Sequence, residues 1–287
     1  MKKTILITGV STGFGKDTAL TMAAAGHCVF GTMRDTAGRN RDAAGALRAQ
    51  GIDVVEMDVT QDASVDAAFA AVLERTGGTL DVLVNNAGVM VQGISETITT
   101  GQARDMFDVN VLGVQRTTRA VLPAMRNARA GLIVNIGSIL GRVTIPFVGL
   151  YGASKHAVEA MTESYRYELS QLGVDVVLVQ PSAYPTGLYA HPSPADGARA
   201  SGYGEVADVP KAFVAFLQGL FSGADAPDPH EVATALVGLV DMPPGQRPAR
   251  LVVGNPFGAT EVNAVVKPIQ QQLIDGIGMS GLNTLKV

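Results

Sequence analysis

The stretch Thr4-Ile5-Leu6-Ile7-Thr8-Gly9-Val10-Ser11-Thr12-Gly13-Phe14-Gly15 decides the fold. Its first five residues form a β-branched, apolar run of strand length. An Ala-rich helical stretch follows over residues 16–25. Between strand and helix lies a turn with three glycines, Gly9, Gly13 and Gly15. Glycine takes positive φ and lets backbone approach a ligand closely. Such a turn delivers a helix N-terminus, with unpaired N–H groups and a positive dipole end, to a phosphate. An ordinary Gly-rich connection has the same composition, so the rest of the chain must decide.

Moving outward, short β-branched runs recur at residues 28–32, 53–57, 82–85, 132–136, 175–179 and 250–253. Helical stretches separate them, at 41–50, 64–75, 102–127, 152–172, 209–221 and 230–240. Near-continuous Val/Ile/Leu strands alternating with helices predict a parallel sheet covered on both faces, joined by right-handed crossovers. The expectation is a single α/β domain over residues 1–287: a doubly wound Rossmann fold with seven parallel strands and helices on both faces. The Gly-rich turn then falls in the first βα unit, at the switch point where such sheets bind ligands. After Pro181 the alternation breaks. Residues 182–208 are rich in Pro, Gly, Ser and Tyr, and a loop of that length in a compact domain is functional or mobile; a substrate lid is placed there. A second loop-rich stretch is expected after Gly254.

Composition narrows the functional classes. The formal net charge of -4 gives no electrostatic basis for nucleic acid or an anionic membrane as partner. The single cysteine, Cys28, forms no internal disulfide and fits a reducing cytoplasm. Lys2-Lys3 before an apolar run is too short a pattern for a signal peptide, and no stretch reaches the roughly 18 apolar residues of a membrane span. His27, His156, His191 and His230 show no metal-ligand spacing and are read as structural, so no metal is expected.

Tyr151-Gly152-Ala153-Ser154-Lys155 places a phenol and an ammonium at i and i+4, on one helix face. A cation about 4 Å away contributes on the order of 4 kcal/mol at an effective dielectric of ~20, enough to draw the phenol down toward neutrality. A tyrosine titrating there exchanges a proton with an alcohol or carbonyl oxygen. Ser138, after the strand at 132–136, brings a hydroxyl to the C-terminal edge of the sheet, where it can hold a substrate oxygen. Asn110 interrupts a long helical segment in which Asn is disfavoured, a misfit that points to a specific task.

Taken in order, Thr8-Gly9, Gly13, Gly15, Asp58-Val59, Asn85-Asn86-Ala87-Gly88, Asn110, Ser138 and Tyr151/Lys155 resemble the short-chain dehydrogenase/reductase family over about residues 3–190. The hydroxysteroid and retinol dehydrogenase branch is similar in particular. The resemblance implies hydride transfer between NAD(P) and a carbonyl/alcohol pair, with Asn110, Ser138, Tyr151 and Lys155 catalytic. It implies a cofactor site built from Gly9, Ser11, Thr12, Gly13, Phe14, Gly15, Asp58, Val59, Asn86, Ala87, Gly88, Tyr151 and Lys155. It also implies that Asn110 distorts its helix and holds a water linking Lys155 to solvent. Where the family has Pro-Gly, this chain has Pro181-Ser182; Thr186 stands where the family's threonine binds the nicotinamide carboxamide, after an unusual Pro185.

The second strand ends in Thr32-Met33-Arg34-Asp35. Met33 occupies the position of the acidic residue that binds the ribose of NAD, and Arg34 follows, so NADP(H) is expected over NAD(H). Asp35 lies one residue beyond, and a shift of register by one would reverse this reading. Arg39 and Arg41 either assist Arg34 or, more simply, solvate the next helix. Met90, Val91, Ile139, Pro146, Phe147, Leu150, Tyr184, Leu188, Tyr189, Phe213 and Phe216 are the candidate pocket wall. They fit a bulky, apolar ketone or secondary alcohol as the small-molecule partner. Small and apolar residues at Ala153, Ala157, Ala160, Met161 and Ser164 predict a homodimer or homotetramer. The alternative is a dinucleotide-binding sensor without turnover, but such a protein has no need of Tyr151 and Lys155. A nucleotide-sugar epimerase shares that pair, though with a different glycine spacing and a larger C-terminal domain.

Overall fold

The computed structural model describes residues 2–189, 196–223 and 225–287. Seven strands form one parallel sheet: β1 (Thr4–Thr8), β2 (Cys28–Met33), β3 (Asp53–Glu56), β4 (Val82–Asn85), β5 (Gly131–Ile136), β6 (Val174–Pro181) and β7 (Arg250–Val253). The spatial order is β3-β2-β1-β4-β5-β6-β7, with every neighbouring pair parallel. The order reverses between β1 and β4, so the Gly-rich turn and Asn86-Ala87-Gly88 open at the switch point.

Alternation within each strand feeds two cores. Ile5 and Ile7 of β1 pack with Val29, Met22 and the α9 (His230–Asp241) residues Val232 and Leu236. Leu6 faces the other way, toward Phe30, Phe69, Val121 and Met125. Both faces are therefore covered: one by α1 (Gly13–Ala24), α2 (Arg41–Ala49) and α9, the other by α3 (Asp62–Arg75) and the helices that follow β4. Burial on both faces explains why β6, Val-Asp-Val-Val-Leu-Val-Gln-Pro, is buried throughout.

Three segments depart from the sequence reading. Residues 102–127 are not one helix. They divide into α4 (Thr100–Phe107), a π-helical turn at Asp108–Leu112 and α5 (Gly113–Ala128). π-turns cluster at functional sites, and this one carries Asn110. The stretch after Gly254 is not all loop. It holds α10 (Ala259–Gly276), an 18-residue helix that tolerates Pro268 within it. Its Ala259 and Ile274 are buried, and Asn263 Nδ2 donates to Gln180 Oε1 at 2.7 Å. Tertiary docking thus holds a helix that local composition disfavours.

The described part of residues 182–208 also holds more regular structure than a simple loop. They contain a helical turn at Gly187–Tyr189, α7 (Gly197–Ser201) and a second turn at Gly204–Asp208. His191, Pro192 and Pro194, which the sequence reading assigned to the lid, lie outside the described residues. The chain then enters α8 (Val209–Leu220). Tyr151 and Lys155, the expected proton-transfer pair, both sit on α6 (Gly149–Ser170). No helix among the described residues is long and apolar enough to cross a membrane.

Candidate active site

The Gly-rich turn is anchored to the end of β4 by a reciprocal set of bonds. Thr8 Oγ1 accepts from the amides of Asn86 (3.0 Å) and Ala87 (2.9 Å). Asn86 Nδ2 donates back to the carbonyls of Thr8 (2.8 Å) and Gly9 (3.0 Å). Gly9 and Gly13 adopt φ of 71° and 58°. A Cβ on Gly9 would lie 2.9 Å from Ala87 Cα. Gly15 serves packing: a Cβ there would collide with the Asn86 side chain and the Gly9 carbonyl.

The N-cap of α1, Thr12, makes no side-chain cap bond, and the first turn contains no acidic residue. Its amides are free for an anion. They open into a cavity of about 940 Å³ that also takes in Ser11, Phe14, Asp58, Val59, Gly88, Pro181 and Thr186. Thr32 also lines this cavity. A glycine cradle and open helix amides fit a dinucleotide. Thr186 Cβ lies 3.8 Å from where a Cβ on Gly13 would sit, placing it over the turn.

At the end of β2, Arg34 lines the cavity with its Nη1 3.9 Å from Asp58 Oδ2. Asp35 is turned away. In left-handed backbone (φ 50°), its carboxylate accepts the Arg39 amide at 2.9 Å and fills the space beside Gly38. Arg39 and Asn40 join the lining, whereas the sequence reading gave Arg39 to the surface of the next helix.

Ser138, Tyr151 and Lys155 meet at the C-terminal end of β5, all buried and all lining the same cavity. Ser138 Oγ accepts the Leu140 amide at 3.1 Å and hydrogen-bonds the Tyr151 side chain. The expected lowering of the phenol's pKa is not found in the protein alone. Burial pushes Tyr151 above its usual range, the nearby Tyr189 adds to the rise, and only the Ser138 bond opposes it. Lys155 Nζ donates to the Ile136 carbonyl at 2.9 Å and lies 5.6 Å from the Tyr151 ring centroid. Burial lowers the Lys155 pKa to about 8.

Asn110 stands behind this group rather than in the cavity lining. Its Oδ1 accepts the Val89 amide at 2.9 Å. Its Nδ2 donates to the Val89 carbonyl (2.9 Å) and to Ser154 Oγ (3.1 Å). Ser154 Oγ in turn donates to the Tyr151 carbonyl at 2.7 Å. Ser154 therefore couples the π-turn to the catalytic helix, a role that sequence reading missed.

A buried charge network below the site was also missed. Glu159, one turn beyond Lys155, meets Arg142 Nε (2.9 Å), Arg250 Nε (3.0 Å) and the Gln180 amide. Only the fold brings these four segments together.

The rest of the cavity is apolar. Met90, Ile139, Tyr184, Leu188, Tyr189, Phe213 and Phe216 line it as expected, joined by Val143, Ile145, Val148, Leu217, Leu220 and Phe257. Val91, Pro146, Phe147 and Leu150 lie outside the lining. Tyr184 is chiefly a core residue, edge-on to Phe14 at 5.5 Å and bonded to Glu231 at 2.7 Å. Among the described histidines, His27 accepts the Lys3 amide, His156 contacts the Gly152 carbonyl and His230 pairs with Asp17. The described residues contain no group of three or more potential metal ligands.

A sequence profile of the short chain dehydrogenase family matches residues 3–195. The chain belongs to this family. It is 40% identical over 184 residues to the 3-ketodihydrosphingosine reductase of Bacteroides thetaiotaomicron, covering 64% of this chain and 65% of that one. It is 36% identical over 189 residues to the retinol dehydrogenase 8 of Bos taurus, covering 64% and 60%. The match thus spans less than two thirds of either relative's length. Solved structures of family members overlay nearly the whole chain. A short-chain dehydrogenase from Streptomyces avermitilis has a TM-score of 0.77 at 29% identity, covering 96% of this chain and 97% of that one. A Burkholderia phymatum short chain dehydrogenase/reductase in complex with NAD has a TM-score of 0.74 at 28% identity, covering 94% and 95%. The actinorhodin polyketide ketoreductase with NADPH has a TM-score of 0.74 at 29% identity, covering 90% and 97%. Both forms of the dinucleotide therefore occur among these neighbours.

Proposed function

We propose that this short-chain dehydrogenase interconverts a bulky, apolar ketone and its secondary alcohol with NADP(H). The observation that carries this reading is the meeting of Ser138, Tyr151 and Lys155 in the cavity that also contains the open helix N-terminus of α1. The relatives named as a ketosphingolipid reductase and a retinol dehydrogenase support an apolar substrate, as does the wall built by α8.

Gly9, Gly13 and the first turn of α1 would hold the pyrophosphate, and Thr186 the nicotinamide end. When bound, the dinucleotide would supply the hydride. Ser138 orients the substrate oxygen. Tyr151 gives that oxygen its proton in reduction and takes it in oxidation. Lys155 holds positive charge beneath the phenol, and Asn110 with Ser154 fixes the helix that carries both. Arg34 in the lining, with Asp35 turned into its own loop, supports NADP(H), because no carboxylate at the end of β2 opposes a 2′-phosphate. The single free thiol, Cys28, fits a cytoplasmic setting, and the exposed small residues of α6 fit a homo-oligomer.

NADPH consumption with a panel of ketones and aldehydes tests this function. The expected result is turnover that favours large apolar ketones. Absence of turnover with every carbonyl, alongside tight NADPH binding, would contradict it and favour a dinucleotide sensor.

A further inference from the structure

Within the oxidoreductase reading above, the substrate half of the cavity poses a chemical question. Its wall is apolar, with Val143, Ile145 and Val148 on one side and Phe213, Leu217 and Leu220 on the other. Three tyrosines line the cavity, Tyr151, Tyr184 and Tyr189. Glu231 takes the Tyr184 hydroxyl and the proposed reaction uses Tyr151, which leaves Tyr189 unexplained.

Tyr189 ends the helical turn Gly187–Tyr189, and its ring leans on Phe221 with centroids 5.5 Å apart. That contact fixes the direction of the side chain. The hydroxyls of Tyr167, Tyr184 and Tyr203 each meet a glutamate. Tyr189 has no such partner among the described residues, and burial alone raises its pKa, to about 12. Its proton is therefore present at neutral pH. Tyr151 and Tyr189 line the same cavity, and the Tyr189 hydroxyl is left for a ligand or water to complete.

We propose that the Tyr189 hydroxyl binds a second oxygen or nitrogen on the substrate, at the carbon adjacent to the reacting carbonyl or the next one along. The substrates are then polar-headed ketones with an apolar tail: the head lies between the two phenols and the tail runs along α8. A site built to hydrogen-bond a substrate group rejects the analogue that lacks it far better than an apolar pocket rejects a change of size.

The test compares a long-chain methyl ketone with the same ketone hydroxylated at the adjacent or the next carbon. Both are measured with the wild type and with Tyr189→Phe, which keeps the ring on Phe221 and removes only the hydroxyl. The readouts are the ratio of kcat/KM values and the ratio of dissociation constants in the presence of NADPH. The wild type is expected to favour one of the hydroxyketones by about tenfold or more, and the variant to lose most of that preference. No preference in the wild type, or a preference kept by Tyr189→Phe, overturns the proposal. A uniform loss of rate leaves both ratios unchanged and also counts against it. If the wild type reduces no ketone, the oxidoreductase reading fails, and the affinity ratio still decides the role of Tyr189.

Discussion

Lys155 Nζ donates to the Ile136 carbonyl at 2.9 Å, while the Tyr151 ring centroid lies 5.6 Å away. The ammonium therefore braces the end of β5 and does not ion-pair with the phenol. Burial keeps the Tyr151 proton on and loosens the Lys155 proton. The protein alone is set for a neutral phenol.

Stability should report the buried ammonium. The Lys155 pKa is lowered from 10.5 to about 8 on folding. Between those values the unfolded chain holds a proton that the folded chain has released. Stability thus rises with pH through that window, and the cost of burying the charge is present in full below about 8. A fall from 10.5 to about 8 corresponds to about 3 kcal/mol. Without cofactor, Lys155→Met should be at least as stable as wild type at pH 7, with the gap closing by pH 10. Urea unfolding across that range checks this. A variant less stable at pH 7, by an amount independent of pH, would refute it.

Cofactor choice should rest on Arg34. Its side chain is half exposed, so its attraction for a 2′-phosphate is screened by salt. Wild type is expected to bind NADPH more tightly than NADH, and Arg34→Ala to cut that preference by about tenfold, in line with one charge-assisted bond. Titrating both dinucleotides at low and high salt measures the effect. Equal affinities in the wild type would mean that Asp35, not Arg34, meets the ribose.

Glu159 should matter to stability more than any surface charge. It is buried between Arg142 and Arg250, and removing one member of such a group strands the others. Glu159→Ala is expected to cost about 3–5 kcal/mol. Thermal melts read this directly, and a change below 1 kcal/mol would show that water reaches both guanidinium groups.

Association should run through α6. Ala153, Ala160 and Ser164 are exposed, whereas Ala157 and Met161 turn inward to pack near Val111, Val114 and Val158. The exposed half still permits close approach of a second helix. Light scattering at micromolar concentration should show a dimer or tetramer for wild type and a smaller species for Ala160→Arg. A monomeric wild type would refute the interface.

The strands were legible because each is a short, largely β-branched or apolar run bounded by turn residues; the central ones are buried on both faces, the edge strands β3 and β7 only in part. Asn110 was legible as a misfit, but not the π-turn around it, because a π-turn differs from an α-helix by one hydrogen-bond step that composition does not encode. α10 was hidden by Pro268 and by the glycines after it; contacts distant in sequence, such as Asn263 with Gln180, hold it in place. The Tyr151/Lys155 pair was readable from its spacing, but the sign of the phenol's shift was not. Spacing reports which groups share a helix face; burial, which sets the sign, belongs to the tertiary structure.

The central claim is that Tyr151 transfers the proton in a ketone reduction driven by NADPH. Single-turnover oxidation of bound NADPH, in wild type and Tyr151→Phe, tests it most directly. The variant should bind NADPH within a few-fold of wild type and reduce its best ketone about 10²–10⁴-fold more slowly, or not at all. A variant that keeps more than about a tenth of the wild-type rate, well above the loss expected for a positioned acid, would contradict the assignment.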